Sequence, residues 1–148
     1  MLQTLNKLFA RDLDRLSQEI SAYQNEADLW LIPDGISNSA GTLSLHLIGN
    51  LNHFVGACLG ETGYVRHRDK EFADRDVAAS KMAEDIEEVK DVIGQTLSKL
   101  SDAQLADNFP IKVFSDQREV TIGFMLTHLA GHLNYHLGQI NYHRRLLS

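Results

Sequence analysis

Residues 128–147 read HLAGHLNYHLGQINYHRRLL. Met125, Leu129, Leu133, Leu137 and Ile140 advance through this region in steps of three and four, the spacing of one helix face. His128, His132 and His136 run beside that row at every fourth position, and each such step turns only about 40° around a helix axis. The segment therefore predicts a last helix with an imidazole stripe next to an apolar stripe. Thr121 stands where its N-cap belongs.

An apolar row needs partners, and the rest of the chain supplies them. Upstream, LSLHLIGNLNHFVGACL (residues 43–59) places Leu43, Leu47, Leu51, Val55 and Cys58 on one side of a second helix. Thr42 or Ser39 can cap it, and Gly60 and Gly63 stop it. Leu2, Leu5, Phe9, Leu13, Leu16, Ile20 and Tyr23 mark a first helix. Residues 25–41, with Pro33 and Asp34-Gly35, form a loop that holds Trp30. A second loop carries Tyr64, Arg66, His67 and Arg68. Beyond it, Val77, Met82, Ile86, Val89, Ile93, Leu97 and Leu100 mark a long amphipathic helix, with Glu84, Asp85, Glu87 and Glu88 on its solvated face. Between Asp102 and Val120, Pro110 followed by IKVF, a Ser115-Asp116-Gln117 turn and REV predicts a short β-hairpin. The expected architecture is all-α: a four-helix bundle forming one domain over residues 1–148.

Composition narrows the function classes. Acidic residues outnumber basic ones 20 to 14 for a net charge of −6, with no Lys/Arg block, which argues against a nucleic-acid partner. Cys58 is the one cysteine, so no disulfide framework exists and a reducing cytoplasm is the expected setting. In its apolar run it reads as a small packing residue. The first residues lack the apolar core of a signal peptide, and no run reaches membrane-spanning length.

Histidine is a neutral nitrogen ligand near physiological pH, and a pair at i and i+4 can grip one ion. A lone histidine is more often a polar edge satisfied by water. Here the stripe adjoins the apolar row, so part of it faces the interior, where unpaired imidazoles would leave buried nitrogens unsatisfied. Metal binding is the better reading. In the second helix His46, Asn50 and His53 share a face, and either histidine can supply a third ligand; periodicity does not choose. His67, in a loop, and His143, near the chain end, read as surface residues.

Taken together, these segments resemble the DinB/YfiT-like superfamily. HLAGHLNYHLGQINYHRRLL is similar to that family's last helix, in which a His-x-x-x-His pair is followed by Gly-Gln; here the pair is His132 and His136, leading into Gly138-Gln139. LHLIGNLNHFVGACLG resembles its second helix, with His46 at the ligand position and Phe54 as the aromatic that follows. Helix order and the long loop with Trp30 extend the likeness over essentially the whole chain. One departure is Leu137, where the family often has Arg, so an anion-binding role at that position does not carry over.

The resemblance implies His46, His132 and His136 as the ligands of a divalent transition ion, with zinc the default and nickel the alternative. Three protein ligands leave a position open for water or substrate. A bound thiol would lose its proton and a bound water would become hydroxide, giving two reaction classes. Relatives that use low-molecular-weight thiols favour the first: a thiol transferase-like enzyme joining a small thiol to an electrophile. In that reading Asn50, His128 and Gln139 orient ligands or substrate, and Tyr64 and Trp30 are pocket walls. The alternatives are a hydrolase using metal-bound water and a non-enzymatic, stress-associated metal-binding bundle. A homodimer is also expected.

Overall fold

The computed structural model describes residues 1–147. Its helices are α1 (Leu2–Ser21), α2 (Ala40–Leu51), the short α3 (Arg68–Ala73), α4 (Ala79–Ser98) and α5 (Ile122–Leu147). The axis of α2 continues through a π-helical stretch, Asn52–Ala57, and a last turn, Cys58–Gly60. Pieces of 3-10 helix, Glu26–Trp30 and Asp102–Ala106, lie in the connections. Helix α1 packs on α4 and α5, and α2 packs on the same two. Helices α1 and α2 therefore face each other across the bundle, and the long connections carry the chain across its ends.

The apolar rows read from the sequence are the core. Phe9, Leu13, Leu16, Leu47, Leu51, Met82, Ile86, Met125 and Leu126 have almost no exposure. Each such side chain contributes about 1.5–3 kcal/mol through burial, which explains why amphipathic helices of this length assemble. Asp12 of α1 is also buried; it accepts hydrogen bonds from Arg11 Nε (2.8 Å) and from Asn134 Nδ2 of α5 (3.2 Å). Both expected caps form: the Thr42 N–H donates to Ser39 Oγ (3.1 Å) and the Phe124 N–H to Thr121 Oγ1 (3.0 Å). The helical run that continues from α2 ends after Gly60, capped by Glu61 with φ of 50°. Gly60 itself serves close packing, since a Cβ there would lie 2.4 Å from Thr96 Oγ1 of α4.

Three local expectations change. Among the described residues the hairpin reduces to one antiparallel bridge, Asn108 with Thr121, supported by Phe109 N–H to Val120 O at 2.8 Å. Of that segment only Phe109 is fully buried, so no apolar face holds a longer two-stranded ladder together. Helix α3 stands where the second loop is expected to continue. His143 is buried, not superficial: α5 runs on past it and packs its end against the end of α1. There His143 Nε2–H donates to Leu31 O (2.8 Å), which leaves Nδ1 to accept from the Tyr23 hydroxyl (2.6 Å).

Candidate metal centre

Helices α2 and α5 bring His46, His132 and His136 together, with one potential ligand atom from each lying within 4.8 Å of the others. His132 and His136 sit one turn apart on α5, with Nε2 atoms 3.1 Å apart; His46 Nε2 is 3.2 Å from that of His132. Tetrahedral ligands about 2.0–2.1 Å from zinc are themselves about 3.3 Å apart, so these spacings suit one ion. The trio can hold a metal ion.

The outer nitrogens explain why the inner ones are free. His46 Nδ1 lies 3.1 Å from Glu71 Oε1, and His136 Nδ1 lies 2.7 Å from Gln139 Oε1. Each oxygen accepts, so each Nδ1 carries the proton and each Nε2 presents a lone pair. His132 Nε2 can donate to only one of these two lone pairs. The cluster thus leaves at least one of these lone pairs without its own hydrogen-bond donor unless a cation lies between them. The observed donors fit a divalent transition ion.

Burial favours the neutral form of His46 and His132. It is the main cause that pushes the His132 pKa down to about 4, with His136, His46 and His128 adding to the effect. For His46 burial also lowers the pKa, only partly countered by the hydrogen bond and charge of Glu71. Imidazoles in this state offer lone pairs without competing protons at neutral pH.

Glu71 and Arg66 form the support of this centre, and Glu71 was not legible in the sequence. Glu71 is buried on α3, and Arg66 grips it with two hydrogen bonds, Nε to Oε2 and a terminal nitrogen to Oε1, both 2.9 Å. The carboxylate fits because residue 49 is glycine: a Cβ there would sit 2.0 Å from Glu71 Oε2. Phe72, next on α3, packs on the His46 ring at 5.0 Å. The available signal was the pair of positions His46 and Gly49, three apart on α2, where a missing side chain marks an opening beside the ligand.

The other residues singled out in the sequence scatter around the trio. Asn50, one turn beyond His46, buries its Oδ1 without a hydrogen-bond partner among the described residues. Gln139 holds His136 and donates through Nε2 to the Tyr135 hydroxyl (3.3 Å). His128 is exposed, stacks on His132 at 6.4 Å and lies edge-on to Phe114. Tyr64 is partly exposed in the loop that also carries Arg66. Trp30 lies against Gly41 in the first turn of α2, its indole N–H buried and unpartnered. His53 is outside the trio: it falls within the π-helical stretch and meets Phe54 edge-on at 4.7 Å. Seven residues along a helix is about 10.5 Å, so His46 and His53 serve different levels of the bundle. Leu137 is buried in the apolar row, where it contributes packing to α5.

No helix among the described residues is long and apolar enough to cross a membrane. No curated protein matches the chain. The family model of the DinB superfamily matches residues 8–140, a span that includes all three histidines and their supporting residues. A helical bundle with this histidine trio and a match over nearly its full length mean that the chain belongs to the DinB superfamily.

Proposed function

We propose that this protein is a metal-dependent thiol transferase: a single DinB-like domain that binds zinc, or alternatively nickel, and joins a small thiol to an electrophile. The observation that carries the reading is the convergence of three Nε2 atoms, with the Nδ1 atoms of His46 and His136 already engaged and that of His132 buried without a partner among the described residues. Such a set donates three lone pairs and leaves a fourth position for substrate. A divalent ion held there would supply the Lewis acidity that lowers the pKa of a coordinated thiol.

The chain's own residues supply the positioning. Glu71 and Gln139 hold His46 and His136 in the tautomer that presents Nε2. Arg66 balances the Glu71 charge, so the neutral trio leaves an ion's positive charge undiminished. In this reading Asn50, with its unpartnered carbonyl oxygen, and His128 orient what binds. In the transfer, the sulfur bonds to the electrophilic carbon and the bond from that carbon to its leaving group breaks; the leaving group departs with the electron pair and the thiol proton goes to solvent. The hydrolytic alternative needs a general base. The carboxylate that reaches the trio, Glu71, is committed to Arg66 and His46, which favours the thiol reading. Cys58 has its thiol pKa raised by burial, so the attacking sulfur is supplied by a cofactor. A lone cysteine also fits a cytoplasmic location, and Phe124, exposed near the start of α5 and away from its last turns, is compatible with a homodimer contact.

The test is elemental analysis of wild type and of a His46/His132/His136 triple-alanine variant, both purified without metal-affinity steps, followed by thiol consumption against an aryl halide. Near-stoichiometric zinc or nickel that disappears in the variant, with metal-dependent turnover, is the expected result. Equal, negligible metal in both proteins overturns the metal centre. Bound metal without turnover across a panel of small thiols leaves the non-enzymatic bundle.

A further inference from the structure

A groove of about 540 Å³ runs beside the metal centre, between loop residues 33–38 and the last turns of α5. Its size falls in the range of small-molecule sites, about 300–1,000 Å³. His136 and Gln139 line it, so the groove adjoins one of the three histidines. The remaining wall is largely apolar: Ile36, Leu43, Tyr135, Tyr142 and Leu146. Four of these are large side chains left exposed, Ile36 at 45%, Tyr135 and Tyr142 at 65% and Leu146 at 80%. An apolar concentration of this kind beside polar groups marks a binding surface.

Charge narrows the ligand. Asp34 is the acidic side chain on the wall, and no lysine or arginine is among the lining residues. Arg145 stacks on the Tyr142 ring at 5.5 Å without lining the groove. In the metal-free protein a carboxylate-bearing ligand would lose hydration there without gaining a cation. The groove is also held open by the fold. His143, itself on the wall, joins the Leu31 carbonyl at the loop stem to Tyr23 of the first helix segment's end, so the loop is anchored before any ligand arrives.

We propose that this groove binds an uncharged small molecule with an aryl or alkyl tail, its reactive head directed to His136. The role as electrophile rests on the thiol-transfer reading above; the binding itself does not.

The experiment follows amide shifts of ¹⁵N-labelled protein, metal-free and zinc-loaded, during titration with 4-phenylbutanol and with 4-phenylbutyrate. The alcohol is expected to shift residues 34–38 and 139–146 saturably in both forms, with the carboxylate about tenfold weaker or worse in the metal-free form, where no cation faces it. Tyr142→Ala, at an exposed position that folding does not require, is expected to weaken the alcohol by about tenfold. Equal or tighter binding of the carboxylate by metal-free protein, alcohol-induced shifts elsewhere, or no saturation overturns the proposal. So does a concentration-dependent dimer in sedimentation velocity that buries Tyr142 and Leu146. Saturable binding by metal-free protein that never takes up zinc sustains the groove while refuting the metal centre, so the two failures are distinguishable.

Discussion

The carboxylate of Glu71 occupies the space that Gly49 leaves empty on α2, at a distance of 2.0 Å from where a Cβ would stand. A helix position without a side chain thus admits the group that orients His46 one turn earlier.

Gly49→Ala is expected to displace Glu71 and weaken zinc binding although no ligand changes. Loss of an outer partner of a metal-bound histidine typically costs about 10–100-fold in affinity. Competition titration with a chromogenic chelator measures it, and Glu71→Gln should weaken binding as well. Unchanged affinity in both variants would show that His46 needs no such support.

His132→Ala should lose stoichiometric metal while keeping its helical circular dichroism, because His132 is at the surface of the core and not within it. Zinc at 100 times its Kd should stabilise wild type by about 2.7 kcal/mol, and this increment should vanish in the variant. His53→Ala should retain it. Loss of metal in His53→Ala would mean that α2 contributes a different ligand.

Tyr23→Phe removes the donor to His143 Nδ1 and leaves a buried acceptor unpaired, at a cost of about 1–3 kcal/mol. Urea denaturation should report this as a lower midpoint with unchanged slope. No change would indicate that water reaches the nitrogen in the variant.

Burial acts to raise the Glu19 pKa, but hydrogen bonds from Arg144 and Asn141 and the charges of Arg144 and Arg145 together outweigh it and bring it below the ordinary value. The folded state therefore binds this proton less readily than the unfolded chain. Its stabilising contribution is complete above the ordinary glutamate pKa and is lost as pH falls through the lowered folded value. Glu19→Gln should lower stability at neutral pH and flatten the acid limb of a stability–pH curve; parallel curves would count against the linkage.

Cys58→Ser should retain thiol-dependent turnover, since the half-buried sulfur has its pKa raised and is a poor nucleophile. A turnover loss in a folded variant would shift the attacking sulfur from cofactor to protein.

Much of this was legible in the chain itself. Helical periodicity exposed the core rows of α1, α2, α4 and α5, because burial repeats with the helix turn and depends little on long-range detail. The same regularity placed His132 and His136 on one side of α5. The short polar stretch after Pro110 was less legible: extended propensity forms a ladder only where a sheet face is buried, and here just Phe109 is.

Local pattern thus determined which residues form helices and that His128, His132 and His136 share one stripe of α5, from which the family resemblance singles out His132 and His136. Only tertiary structure decided that His46 meets that pair by geometry, that Glu71 and Arg66 stand behind it, and that His143 is a buried clasp. The reason is physical. Spacing along one helix is set by its own hydrogen bonds, whereas the level at which two helices meet, and what a connecting segment folds onto, depend on packing between residues far apart in the chain.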